Sequence, residues 1–167
     1  MLFQKYNVVF TEVMYKMRIT SEQEMIQIGV KIASLNIPTI VCSLQGDLGA
    51  GKTQLTKGIA LGLGIQDVVT SPTFSLIHEY EGKNPLLHID LYRISSTELQ
   101  AIDLEEIIEN WTGWTVVEWG NLHPHILPSN YVVFNISIEG ECRILNCLPQ
   151  GTEEFQSNII EQWATLQ

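Results

Sequence analysis

Basic side chains are scarce in this chain. Nine lysines and arginines stand against 19 acids, the formal net charge is −10, and the only arginines are Arg18, Arg93 and Arg143. Proteins that grip nucleic acid draw much of their affinity from a basic stripe that neutralises phosphates. No such stripe exists, so direct binding of a long nucleic acid is not expected, and an acidic surface suits a basic protein partner instead. Cysteine is sparse too: Cys42, Cys142 and Cys147 are odd in number and form no CxxC pair. That argues against a disulfide framework or a zinc knuckle and fits a reducing compartment. Cys42 lies in an apolar run and reads as a small buried hydrophobe. The histidines have no zinc-type spacing with the cysteines; His88 reads as a packed strand side chain, and His123 and His125 as loop residues. No apolar run reaches the roughly 18 residues of a membrane helix. Gln4, Lys5, Asn7, Glu12 and Lys16 interrupt the first 17 residues, which therefore lack the apolar centre of a signal peptide. A cytoplasmic protein that does not enter a membrane is expected.

What is present is an ordinary globular balance, 45% apolar and 17% charged over 167 residues. Such a length predicts one domain over 1–167, with 1–16 as an extra or flexible N-terminal segment. Ser21 followed by Glu24 reads as a capping box. Met25, Ile28, Ile32 and Leu35 recur at helical spacing, so a helix is predicted from Ser21 to about Leu35. Thr39 to Leu44 is a continuous β-branched run, as in a buried parallel strand. Thr53 to Leu63 is helical, with Gly62 and Gly64 as candidate C-terminal caps. Phe74 to Tyr80 and Leu86 to Arg93 read as one hairpin, Tyr131 to Ile138 and Arg143 to Leu148 as a second. Thr97 to Asn110 is predicted helical with Glu98, Glu105, Glu106 and Glu109 facing water. Thr115 to Trp119 is a short buried strand, and Thr152 to Leu166 a closing helix. The mixture predicts an α/β fold, a sheet of parallel and antiparallel strands flanked by helices.

Gly46-Asp47-Leu48-Gly49-Ala50-Gly51-Lys52-Thr53 matches G-x-x-x-x-G-K-[ST]. Average residue usage produces that pattern about once in 200 chains of this size, so it is informative alone. It also lies between a predicted strand and a predicted helix, the context it requires. The glycines let successive N–H groups point inward at phosphate oxygens, and the helix start adds partial positive charge. Lys52 would reach the β and γ phosphates and the Thr53 hydroxyl would bind Mg²⁺. Gln54, the next residue, is grouped with this nucleotide-binding set. ATP and Mg²⁺ are the expected ligands.

Such a loop needs an acid at a neighbouring strand end to hold Mg²⁺ or orient water. Glu118 ends the apolar run Trp114-Thr115-Val116-Val117, and Asp90 follows Leu86-Leu87-His88-Ile89; both fit the rule that ligands sit at carboxyl ends of strands. Lys52, Asp90 and Glu118 are thus the candidate catalytic residues. The plainer reading of each acid is a carboxylate capping a turn. Ser71-Pro72-Thr73 is a hydroxyl-rich segment with a fixed proline, suited to sensing a γ-phosphate or contacting a partner, although Ser-Pro by itself is chiefly a turn signal. Trp119 reads equally well as a stacking residue or a core residue.

Taken together, the loop Gly46–Thr53, Ser71-Pro72-Thr73-Phe74, His88-Ile89-Asp90-Leu91-Tyr92-Arg93 and Val117-Glu118-Trp119 resemble the TsaE family in order and spacing. Those are bacterial ATPases needed to make threonylcarbamoyladenosine beside the anticodon, at position 37, of tRNAs that read codons beginning with A. The resemblance implies a small P-loop sheet between helices, with Thr53 and Glu118 on the magnesium side and Asp90 required nearby. It implies that Trp119 matters for activity and that Glu22 and Arg143 lie close to the nucleotide. It further implies slow ATP hydrolysis in isolation, and work alongside the transferase subunit TsaD and its paralogue TsaB. The chain departs from the family pattern at Gly120, where proline is usual, and at Asp103, where glycine is usual. Its segment before Ser21 is also longer.

Two readings stand beside this one. A small-molecule or nucleotide kinase closes an arginine-bearing lid, which three arginines poorly supply. A nucleotide-gated binding module would hold the triphosphate as a signal with little turnover. A GTPase would need an Asn-Lys-x-Asp segment, absent from the sequence.

Overall fold

A computed structural model describes residues 16–35 and 37–166. The predicted N-terminal extra segment lies outside the described residues except for Lys16, which opens a strand. The elements run β1 (Lys16–Ile19), α1 (Glu22–Ala33), β2 (Ile40–Gln45), α2 (Lys52–Gly62), β3 (Ile77–Tyr80), β4 (Leu86–Asp90), α3 (Ser96–Gln100), α4 (Leu104–Asn110), β5 (Trp114–Glu118), β6 (Tyr131–Glu139), β7 (Cys142–Gln150) and α5 (Glu153–Ala164). Two 3₁₀ turns, Gly120–Leu122 and Pro124–Ile126, link β5 to β6.

The seven strands form one sheet in the order β1-β7-β6-β2-β5-β4-β3. β6, β2, β5 and β4 are parallel neighbours, while β3, β7 and β1 add antiparallel edges. The predicted mixed α/β fold is therefore present. β2 and β5 are the centre, and every residue of β4 and β5 is buried. Two apolar clusters lie against the sheet. The larger gathers Met25, Leu55, Ile59, Phe134, Ile159 and Trp163, from the side of α1, α2 and α5. The other gathers Val41, Leu87, Ile89, Leu99, Leu104, Ile108 and Val117, from the side of α3 and α4. Cys42, Cys142 and Cys147 are buried free thiols, and burial pushes the Cys147 thiol up to about 12.

Several predicted features differ in the structure, each for a local reason. Ser21 caps α1 by accepting from the Glu24 N–H at 3.1 Å, but Glu24 reaches back to the N–H and hydroxyl of Thr20. The segment 97–110 splits into two helices because Asp103 caps a new one, accepting from the Glu106 N–H. The strand predicted from Phe74 begins only at Ile77: Leu76 sits at φ +67°, and the Ser75 and Leu76 N–H groups both turn back to the Pro72 carbonyl. The strand predicted to reach Arg93 stops at Asp90, whose Oδ1 accepts from the Tyr92 N–H and turns the chain. Of the candidate caps, Gly64 (φ +80°) closes α2 with Gly64 N–H bonded to the Leu61 carbonyl and Ile65 N–H to the Ala60 carbonyl, a Schellman pattern.

α1 and α2 lie backbone to backbone. A Cβ on Gly58 would stand 2.1 Å from the Ile26 carbonyl oxygen and 2.9 Å from Gly29 Cα, and one on Gly29 would stand 2.5 Å from the Leu55 carbonyl oxygen. Backbone atoms cannot swing aside as a side-chain end can. Gly58→Ala is therefore expected to cost about 1–3 kcal/mol, the usual penalty of overpacking, read as a lower urea midpoint. A midpoint equal to wild type would show that the helices have room there.

Candidate functional site

β2 delivers the chain to the glycine-rich loop at the centre of the sheet. Gly46, Gly49 and Gly51 all adopt positive φ, at +139°, +77° and +108°. At Gly46 a Cβ would meet the Ile136 carbonyl oxygen at 2.3 Å, so both its conformation and its neighbour demand glycine. Gly51 is the N-cap of α2 and supplies no side-chain bond to it. The first N–H groups of that helix are thus left to face whatever occupies the loop.

Lys52 is the first residue of α2 and only 5% exposed. Its ammonium donates to the carbonyls of Gly46 at 2.7 Å and Asp47 at 2.9 Å, and lies 3.9 Å from the centroid of the Trp119 ring. Burial holds its pKa below the usual lysine range, while Glu118, Asp90 and Asp47 pull it back up. Trp119 itself rests against Tyr92, ring centroids 4.9 Å apart. Its φ of +64° explains why the strand predicted to include it ends at Glu118. Half-buried, it both packs and borders the cleft, so neither sequence reading of Trp119 excludes the other.

Asp90 and Glu118 are register partners on adjacent parallel strands. They are 5% and 3% exposed, at the carboxyl ends of β4 and β5. The Thr53 hydroxyl donates to Glu118 at 3.1 Å. Asp90 Oδ2 accepts from the Ser71 and Thr73 hydroxyls, both at 2.6 Å, and so fixes the segment behind the P-loop helix. Pro72 is buried between them.

These groups converge on a cleft of about 550 Å³ bordered by Leu48 to Gln54, Ser71, Thr73, Asp90, Glu118 and Trp119. Glu22 and Arg143 also border it from α1 and β7. Gln54 Nε2 donates to Glu22 at 3.3 Å, and Arg143 reaches the Gly49 carbonyl at 3.5 Å. Gly46 and Asp47 do not border the cleft, although their carbonyls hold Lys52, and Pro72 stands back from it too. Five neighbours are not among the residues that the sequence singles out for the site: Thr20, Ser21 and Met25 at the start of α1, and two more. Tyr92 lay in plain view two residues after Asp90. His88 was read as merely packed; it is fully buried, but its Nε2 is 2.9 Å from Glu118 Oε1. The period of two along β4 places His88 on the same sheet face as Asp90, a signal that was available.

A cleft of loop N–H groups, one lysine, a hydroxyl and two carboxylates has the composition of a phosphate and divalent-cation site. Comparison with known proteins bears on the family. Residues 19–144 match the family model described as threonylcarbamoyl adenosine biosynthesis protein TsaE. A tRNA threonylcarbamoyladenosine biosynthesis protein TsaE from Nostoc is 39% identical over 71% of this chain and 75% of its own. Its counterpart from Bacillus subtilis is 40% identical over 75% and 79%, and that from Haemophilus influenzae 33% identical over 87% and 95%. The crystal structure of YdiB from Bacillus subtilis superposes with a TM-score of 0.73 and 32% identity, covering 88% of this chain and 92% of that one.

Proposed function

The chain belongs to the TsaE family of threonylcarbamoyladenosine biosynthesis proteins, and from that premise we propose that it is a slow, partner-dependent ATPase that supports the threonylcarbamoyl-transferase step at position 37 of tRNA. One observation carries the reading: the loop, Lys52, Thr53, Asp90 and Glu118, far apart in the sequence, border one cleft at the carboxyl ends of β2, β4 and β5.

In this reading the loop N–H groups and the start of α2 hold the β and γ phosphates, and Lys52 donates to them. Thr53, Glu118 and Asp90 offer only oxygen donors, the set a hard cation of magnesium size requires. Mg²⁺, when bound, would offset the charge that develops on the transferred phosphoryl group. Glu118 orients the attacking water or the metal's shell, and Asp90 holds Ser71 and Thr73 beside the γ-phosphate position. Glu22 and Arg143 border the same cleft from α1 and β7 and contact the remainder of the nucleotide.

A kinase reading gains no support, since among the described residues Arg143 is the one arginine bordering the cleft and lies on a strand. The acidic chain suits protein partners, TsaD and TsaB by family, rather than tRNA itself. Among the described residues no helix is long and apolar enough to cross a membrane. The unpaired cysteines fit a reducing compartment, and the cytoplasm is the location proposed. The test is a pull-down of the transferase subunits from host lysate with ATP, with ADP and without nucleotide, paired with ATP turnover before and after adding them. Capture that depends on nucleotide, with raised turnover, is expected. Turnover and capture indifferent to each other would overturn the partner dependence, and no ATP binding would overturn the whole reading.

A further inference from the structure

His88 touches one of the two strand-end acids, yet the proposed chemistry does not use it. It lies in the middle of β4, 0% exposed, on the face of the sheet that carries Asp90 and Glu118. Its Nε2 and Glu118 Oε1 are 2.9 Å apart. Its other ring nitrogen, Nδ1, is buried with no hydrogen-bond partner. A buried polar atom without a partner is costly, and an apolar residue here would avoid that cost. Around it stand Tyr80 from β3, ring centroids 6.5 Å away, and Val116, its register partner in β5. Packing alone therefore gives a poor reason for histidine at this position.

We propose that His88 is a positioning residue for Glu118: it fixes the carboxylate so that the second oxygen is left for the metal and water side of the cleft. This rests on the reading of the cleft as a Mg²⁺–ATP site. An ionised carboxylate only accepts hydrogen bonds, so His88 is the donor in the tautomer that carries its proton on Nε2. The Thr53 hydroxyl donates to the same carboxylate from α2 at 3.1 Å. Glu118 is thereby held from two directions, by the P-loop helix on one side and by the adjacent strand on the other. A glutamate has three side-chain torsions, and one donor from α2 alone leaves it free to swing. Two donors on different elements meet at Oε1, and Thr53 Oγ1 stands 3.4 Å from Oε2, so one oxygen is pinned and the carboxylate is turned toward α2. Outer contacts of this kind commonly change metal affinity or activity by about 10- to 100-fold.

The test compares the full chain with His88→Leu, which keeps bulk and removes the donor, and His88→Gln, whose amide nitrogen falls close to the position of Nε2. Four quantities are read: Mn²⁺ binding to the ADP complex by electron paramagnetic resonance, affinity for a fluorescent ATP analogue in EDTA, turnover, and the melting temperature. His88→Leu is expected to lose about 10- to 100-fold in Mn²⁺ affinity and in turnover, with metal-free nucleotide affinity unchanged. His88→Gln is expected to recover most of both. A mere structural role would move nucleotide affinity and the melting temperature together, and glutamine would not restore them. Wild-type Mn²⁺ affinity in His88→Leu, or equal losses in both variants, would overturn the positioning role while leaving the site itself intact. A wild-type chain that bound neither nucleotide nor Mn²⁺ with ADP would instead overturn the underlying reading.

Discussion

Glu118→Ala is expected to cut ATP turnover by about 10²-fold or more, the range typical of losing a group that positions or deprotonates a nucleophile, while nucleotide affinity falls far less. The asymmetry follows from where the side chain is. Glu118 ends β5, 3% exposed, and it is bonded to Thr53 and His88. The backbone that would cradle the phosphates, from Gly46 to Gly51, is a separate segment. Glu118→Gln is the informative companion, since it keeps an acceptor for Thr53 and removes the charge. If alanine turned over ATP at the wild-type rate, the water or metal would have to be held by Asp90 instead, and the assignment of Glu118 would be wrong.

Lys52→Ala should produce the opposite pattern, a sharp loss of triphosphate binding. A charge-assisted hydrogen bond in a part-buried site is worth about 1.5–3 kcal/mol, which is about 10- to 150-fold in affinity. ADP should lose less than ATP, because the lysine is expected to reach the γ-phosphate as well as the β. The substitution also removes the tie between α2 and the carbonyls of Gly46 and Asp47, so thermal unfolding should be measured beside calorimetric titration. An ATP affinity unchanged in a well-folded variant would remove lysine from the phosphate site.

Much of the candidate site was legible because its signals are local. Eight consecutive residues announce the loop, since each glycine answers a backbone constraint within the loop itself. Asp90 and Glu118 could be singled out because each closes an apolar strand, and strand ends are readable from composition. Their being register partners was not readable, because that depends on β4 and β5 being parallel neighbours, and the direction of β4 could not be fixed from sequence. The same gap hid the His88–Glu118 contact. The extent of β3 was misjudged because Leu76 looks like a strand residue and only the double use of the Pro72 carbonyl forces it out. Asp103 stands out in the sequence as a departure from the family pattern, and only the fold makes it the cap that divides α3 from α4.

The meeting of α1 and α2 at Gly29 and Gly58 has a mechanical consequence. Two backbones in van der Waals contact cannot slide past one another without a clash, so the helix that begins at Lys52 is clamped to its neighbour along its length. That half of the cleft is a fixed jaw. The opposite jaw, the turn carrying Ser71 and Thr73 and the bend at Trp119, is attached instead through hydroxyls on Asp90 and a ring resting on Tyr92.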